Sequence, residues 1–238
     1  MGKKIAALIS VILFVTLTSL LRVYDVAPIG PDDTEVGFSH INQKVHELTG
    51  INMDWYNLTN AIGYGAILLC AVFALAGLVQ LIKRKSLFKV DREILALGGL
   101  FILDIFLYVF FEKIIINYRP VIMPGETAAE ASFPSSHTVL GLTVFIAALL
   151  ITDRYIKSRA LSGIIKAVCA VIAVVAVVGR LLSGVHWATD ILGGILLSAA
   201  LLFAFSADIS AYRKNEASGN KKPLTESDKV INGYRCKH

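Results

Sequence analysis

Six stretches of this 238-residue chain are each apolar over a length that can cross a lipid bilayer, which takes about 20 mostly apolar residues. They run from Ile5 to Leu21, within Trp55 to Ile82, from Glu93 to Ile116, from His137 to Thr152, from Ser162 to Arg180 and from Thr189 to Ser206. Hydrocarbon offers no partner to backbone N–H and C=O groups, so a lone span must be a helix that bonds to itself. The fold class expected is therefore all-α, a six-span transmembrane helical bundle. Composition agrees. Only 17% of the residues are charged, 55% are hydrophobic and the mean hydropathy is +0.67, whereas soluble domains carry about 25% charged residues. A soluble globular protein and a disordered chain are both excluded. The three cysteines, Cys70, Cys169 and Cys236, lack motif spacing and imply neither a disulfide framework nor a metal cluster.

Charge placement orients the bundle. If the N-terminus is cytoplasmic, the inner segments are the Lys3-Lys4 end, 83–92, 153–166 and the chain after Asp208. These hold 18 of the 23 Lys and Arg residues, a strong positive-inside bias. The net charge of +5 then belongs to the inner membrane face, and nucleic acid is not an expected partner. An even number of spans returns the C-terminus to the cytoplasmic side. No small-x-small cleavage site follows Leu21, so the first span reads as a retained anchor. The domain expectation is a membrane unit over 1–206 and a flexible cytoplasmic tail over 207–238. Between the first two spans, Phe38, Ile41, Val45 and Leu48 fall near helical spacing, which predicts a short amphipathic helix on the outer leaflet. His40 and His46, six residues apart, lie on different faces of that helix and do not suggest a metal site.

The chemistry-bearing residues concentrate at the outer ends of spans, in 113–120 (KIIINYRP), 133–137 (FPSSH) and 179–190 (GRLLSGVHWATD). Two histidines, two arginines, a lysine and an aspartate thus converge on one face. Ionisable groups at such depth are costly, and function is the default reason for them. His186 and Asp190 stand four apart, so a helix would put them on one face, where the carboxylate can fix the imidazole tautomer and leave the other nitrogen to react. Ser135 and Ser136 precede a helix start, where unpaired N–H groups form an anion site, and His137 beside them can transfer a proton. Alone, Ser135 would read as an ordinary helix cap and Arg119 as a snorkelling interfacial side chain. Asp104, an acid inside the third span, is expected to face the bundle interior, bond a polar neighbour and serve stability.

Together the three clusters resemble the signature of the type 2 phosphatidic acid phosphatase superfamily, Lys-x6-Arg-Pro, Pro-Ser-Gly-His and Ser-Arg-x5-His-x3-Asp. Arg119-Pro120, then Pro134, Ser135 and His137, then Arg180, His186 and Asp190 match it in order, over a phosphatase core of about 93–206. The chain departs from the pattern at three places. The lysine, Lys113, is one residue closer to Arg119, with Glu112 in the expected place; Ser136 replaces Gly; and Gly179 replaces the first Ser. The resemblance implies a lipid phosphate phosphatase that needs no metal and no cofactor. His186 would be the nucleophile, Asp190 its orienting carboxylate and His137 the acid and base. Arg119, Arg180, Lys113, Ser135 and Ser136 would bind phosphate. It points to a lipid phosphate substrate: undecaprenyl diphosphate, which an outward-facing site favours, phosphatidylglycerophosphate or phosphatidic acid. The expected location is the plasma membrane, with the site on the extracytoplasmic side. The alternatives are a haloperoxidase-like use of the pocket and a lipid-phosphate binding or transport protein without turnover, which would have no need of the His-Asp pair.

Overall fold

The structure, a computed structural model, describes residues 1–218. Its helices are α1 (Gly2–Leu20), α2 (Ser39–Thr49), α3 (Met53–Arg84), α4 (Arg92–Lys113), α5 (Ser136–Tyr155), α6 (Arg159–Leu182) and α7 (Ala188–Ala217). All but α2 are long and apolar enough to span a membrane. Among the described residues there are no strands, only isolated bridges at Ala27–Val36 and Tyr118–Ala131. The all-α, six-span expectation holds, with two shifts. Helix α3 is longer than its predicted span. Helix α7 continues through 207–217, where a flexible tail is expected; the rest of that tail, with Cys236, lies outside the described residues.

Helix α7 runs on because its last turns are held. Lys3 at the start of α1 donates to the hydroxyls of Ser206 and Ser210 at 2.8 and 2.7 Å. Arg92 pairs with Asp208, Arg154 with Glu216 and Arg213 with Glu93. The first turn of α1 and the last turns of α7 therefore share one end of the bundle, and the three motif clusters lie at the other.

Helix α5 is the most enclosed span, whereas α3 exposes most of its apolar surface. One face of α5 packs Ala147 and Ile151 against Leu97 of α4 and Phe205 of α7. Another packs Val144 and Ala148 against Ala66 of α3 and Ala173 of α6. Small residues allow close approach between helices in lipid. A Cβ at Gly141 would stand 2.7 Å from that of Ala176, and one at Gly179 2.9 Å from both Thr59 and Trp55. The second case explains why Gly179 stands where the family pattern has Ser: α6 passes too near α3 for a side chain.

Helix α2 forms where the spacing predicts a short amphipathic helix, but its inward face is not its apolar one. Asn42 is fully buried, while Ile41 and Leu48 are exposed, so the apolar residues face outward, as a helix at the lipid boundary requires. Asn42 donates to Thr189 Oγ1 at 2.9 Å and accepts from the Thr189 N–H at 3.2 Å. This ties α2 to the first turn of α7. His40 meets Asp25, and the His46 ring lies 5.5 Å from that of Trp187, so the two histidines part as predicted.

Candidate active site

His186 sits in the short loop between α6 and α7. Gly184 turns that loop at φ +65°, and a Cβ there would strike the Gly50 carbonyl at 1.8 Å, so glycine is required on two counts. The Asn52 N–H donates to the Ser183 carbonyl at 3.0 Å, which holds the loop against the segment entering α3. The result is a His186 side chain only 2% exposed. Burial, then the positive charges of Arg180 and Arg119, hold its pKa well below the usual histidine value. Its imidazole is thereby kept neutral, with a lone pair to give.

Asp190 Oδ2 lies 3.6 Å from His186 Nδ1, beyond a normal hydrogen bond but oriented as the sequence spacing predicts. The same carboxylate accepts from the Trp187 N–H at 2.9 Å and from the Asn117 amide at 3.4 Å. Asp190, a fully buried side chain, therefore caps α7 as well as facing His186. Nδ1 is the nitrogen on the Asp190 side, which leaves Nε2 for chemistry.

Arg180 is fully buried at the end of α6. It donates to Asn60 Oδ1 at 3.2 Å and Thr59 Oγ1 at 3.3 Å and stacks over the Tyr56 ring at 4.9 Å. Its Nε and Nη2 have no hydrogen-bond partner among the described residues, and neither does Nη1 of Arg119, whose Nε faces a carboxylate. A buried guanidinium with unpaired donors is costly unless an anion meets it. Arg119 is positioned by two antiparallel segments: its N–H donates to the Glu130 carbonyl and the Ser132 N–H to that of Asn117, both at 2.9 Å. The Glu130 carboxylate lies 3.2 Å from Arg119 Nε and is exposed.

A cavity of about 650 Å³ is lined by Arg119, Ser136, His137 and His186. It continues along α3 and α4 past Gly63, Tyr64, Ile67, Tyr108 and Ile105 to Phe101 and Asp104. Tyr64, Ile67, Ile105 and Tyr108 are all exposed, so the cavity opens sideways between α3 and α4 toward the surface that meets lipid. His137 packs on Gly63, where a Cβ would come within 3.1 Å of the imidazole.

Two of the predicted phosphate ligands, Ser135 and Lys113, are placed differently from expectation. Ser135 is fully buried; its N–H is committed to the Asp190 carbonyl at 3.1 Å, and its hydroxyl caps α5. The capping reading holds for Ser135, and the N–H groups left at the start of α5 are those of Ser136 and His137. Lys113 ends α4 and is exposed, while Glu112 lines the cavity. Helix α4 stops at Lys113, so the chain from there to Arg119 has no helical register. Arg180 packs against Tyr56 and Asn60, which line the cavity. Tyr56, Thr59, Asn60 and Asn117 carry no motif and are missed by the sequence reading. The polar Thr59-Asn60 pair at the head of an apolar run is the signal that could have found two of them.

Among the described residues, no three His, Cys, Asp or Glu side chains are placed to hold a metal ion. No curated protein matches this sequence. In structure the chain is similar to a transmembrane PAP2-type phosphatidylglycerolphosphate phosphatase from Bacillus subtilis. The TM-score is 0.61 at 20% identity, over 87% of this chain and 96% of that one. The sequence pattern of the PAP2 superfamily matches residues 93–214, and this chain belongs to that superfamily.

Proposed function

We propose that the protein is a lipid phosphate phosphatase that works through a phosphohistidine. The observation that carries this reading is the pair of guanidinium groups with unpaired buried donors beside an imidazole that is held neutral. Such a set binds a phosphoryl group and presents a nucleophile to it. His186 Nε2 attacks phosphorus, the phosphorus–oxygen bond to the leaving group breaks, and His137 gives its proton to that oxygen. His137 then takes a proton from water, the water oxygen attacks phosphorus, and the phosphorus–nitrogen bond breaks to release phosphate. Asp190 closes on Nδ1 as positive charge develops on the ring. Arg119, Arg180 and the N–H groups of Ser136 and His137 bear the transferring oxygens. Fixed cations supply the charge stabilisation that a divalent metal gives in other phosphatases.

The sideways opening of the cavity supports a lipid substrate over a soluble phosphate, since a lipid chain can enter between α3 and α4 while its head reaches the histidines. The lysine and arginine bias puts the site end outside the cytoplasm, in a cell membrane, with both termini inside. Undecaprenyl diphosphate and phosphoglycerolipids such as phosphatidylglycerophosphate or phosphatidic acid are the two substrate classes that fit. A transport or binding role would leave the His186–Asp190 pair without work.

Purified protein in detergent, given a panel of lipid phosphates in excess EDTA, is the direct test. Phosphate release that survives EDTA and is blocked by vanadate, a mimic of the five-coordinate transition state, is the expected result. Activity lost in EDTA and restored by Mg²⁺ would overturn the mechanism. Binding of lipid phosphate without release would overturn the enzyme.

A further inference from the structure

The cavity does not end at the histidines. Its far end is closed by Phe101 and Asp104, with Cys70 across from them. Asp104 is 7% exposed and accepts from the Thr143 hydroxyl at 2.7 Å through Oδ2. Its Oδ1 is buried and has no partner among the described residues. The interior position and the polar neighbour match the sequence expectation for this acid. A purely structural role leaves Oδ1 unexplained, because an unpaired buried oxygen costs stability.

Depth identifies what could pair with it. Thr143 lies six residues after His137 on α5, about 9 Å down the helix axis. The ester carbonyls of a phosphoglycerolipid stand within roughly 6–8 Å of phosphorus at ordinary bond lengths, and a hydrogen bond adds about 3 Å. A phosphoryl group held at the histidines thus brings a backbone ester level with Asp104. A carboxyl that carries a proton on Oδ1 donates to such a carbonyl oxygen. A prenyl chain has no hydrogen-bonding group at that depth and would press hydrocarbon on the unpaired oxygen.

Resting on the phosphatase reading above, we propose that Asp104, tethered by Thr143, is a specificity-determining residue that hydrogen-bonds a backbone ester carbonyl of a phosphoglycerolipid. The preferred substrate class is then a phosphorylated diacylglycerol lipid rather than a prenyl diphosphate. A site that reads an ester discriminates against the analogue lacking it, because the buried partner is left unpaired.

The test compares dioleoyl phosphatidic acid with its diether analogue, which lacks only the carbonyls. Wild type, Asp104→Leu and Asp104→Asn are assayed with both in mixed micelles, and wild type also with nitrophenyl phosphate. The wild type should prefer diester over diether by about tenfold in kcat/KM, the range of one buried hydrogen bond. Asp104→Leu should remove that preference, and Asp104→Asn, which keeps an N–H donor, should retain part of it. If Asp104→Leu does not fold, Thr143→Val, which releases the carboxyl from its tether, should narrow the same ratio. An equal diester-to-diether ratio in wild type, or one that survives Asp104→Leu or its Thr143→Val substitute, overturns the assignment of Asp104 while leaving the phosphatase reading intact. No phosphate release by wild type from any of the three substrates overturns the phosphatase reading itself, and this proposal with it.

Discussion

At the end of the bundle that holds Lys3, each arginine in the helix-end network meets an acid: Arg84 with Asp91, Arg92 with Asp208, Arg154 with Glu216 and Arg213 with Glu93. At the opposite end Arg180 has no carboxylate within ion-pair reach among the described residues, and Arg119 has only the exposed Glu130 beside it. The arginines at the first end are partly in solvent and lock helix termini together. At the second, Arg180 is fully buried and Arg119 lines the cavity. The contrast separates two uses of the same residue type. Paired arginine holds the fold, and a buried arginine with no acid beside it, as Arg180 is among the described residues, is a standing cost that the fold must carry for another purpose.

The largest effect expected at the site end comes from its nucleophile. His186→Ala should form no covalent intermediate and lose turnover by about 10⁴-fold or more, as loss of a catalytic nucleophile does. His137→Ala should behave differently with nitrophenyl phosphate, whose leaving group departs without a proton. It should transfer phosphate to the enzyme and stall there, so acid-labile, base-stable label should accumulate on it. Label on His186→Ala and none on His137→Ala would reverse the two roles.

Next come the arginines, which test the contrast directly. Arg180→Lys should lower kcat/KM by about 10²–10³-fold, the range for removing one preorganised donor of transition-state charge. Arg213→Ala should leave kcat/KM near wild type and lower the thermal midpoint instead. Equal activity losses from the two would dissolve the distinction between the ends. The neutral His186 adds a pH signature. Its pKa lies below the ordinary 6.5, so the acid limb of kcat/KM assigned to the nucleophile should fall below pH 6.5. Protonation at that limb removes the lone pair, so activity is lost as pH falls through it and is present above it. An acid limb at or above 6.5 would mean that His186 is less enclosed than its burial indicates.

These contrasts also show what the sequence could and could not reveal. The spans were legible because membrane helices announce themselves by length and apolarity. His186, Asp190, His137 and Arg119 were legible because their motifs are short and local. The supports for Arg180 were not. Tyr56, Thr59 and Asn60 lie some 120 residues earlier on α3, and no spacing rule connects two helices that meet only in the folded bundle. For α2 the periodicity placed the helix, but which face turned inward depended on Asn42 finding Thr189, a partner 147 residues away.

That Asn42–Thr189 tie gives a smaller effect, intermediate between the two ends. Asn42 touches neither the histidines nor the cavity, but it fixes the first turn of α7, from which Asp190 projects. Asn42→Ala should reduce kcat by about tenfold, the cost of losing one or two buried hydrogen bonds, with KM little changed. Asn42→Asp keeps the acceptor toward the Thr189 N–H and should recover part of the loss. A drop in stability with kcat per folded molecule intact would place α2 with the structural end of the molecule rather than with the site.

The smallest effect should come from Lys113, an exposed cation at the site end with no ion pair among the described residues. It is exposed at the last turn of α4, while its neighbour Glu112 takes the cavity side. An exposed lysine contributes little through charge alone, because water and salt screen it. Lys113→Ala should therefore leave kcat/KM within about twofold of wild type, against the hundredfold or greater loss expected for a donor that meets the phosphoryl group. Glu112→Lys should do more than Lys113→Ala, since it places a cation on the wall that now carries an acid. It should lower KM for a lipid phosphate, most visibly at low ionic strength where the added attraction is least screened. A loss beyond tenfold in Lys113→Ala would show that the side chain swings into the cavity when substrate is bound. The site would then have three cations on the phosphate rather than two, and the division between the ends would extend one residue further along α4.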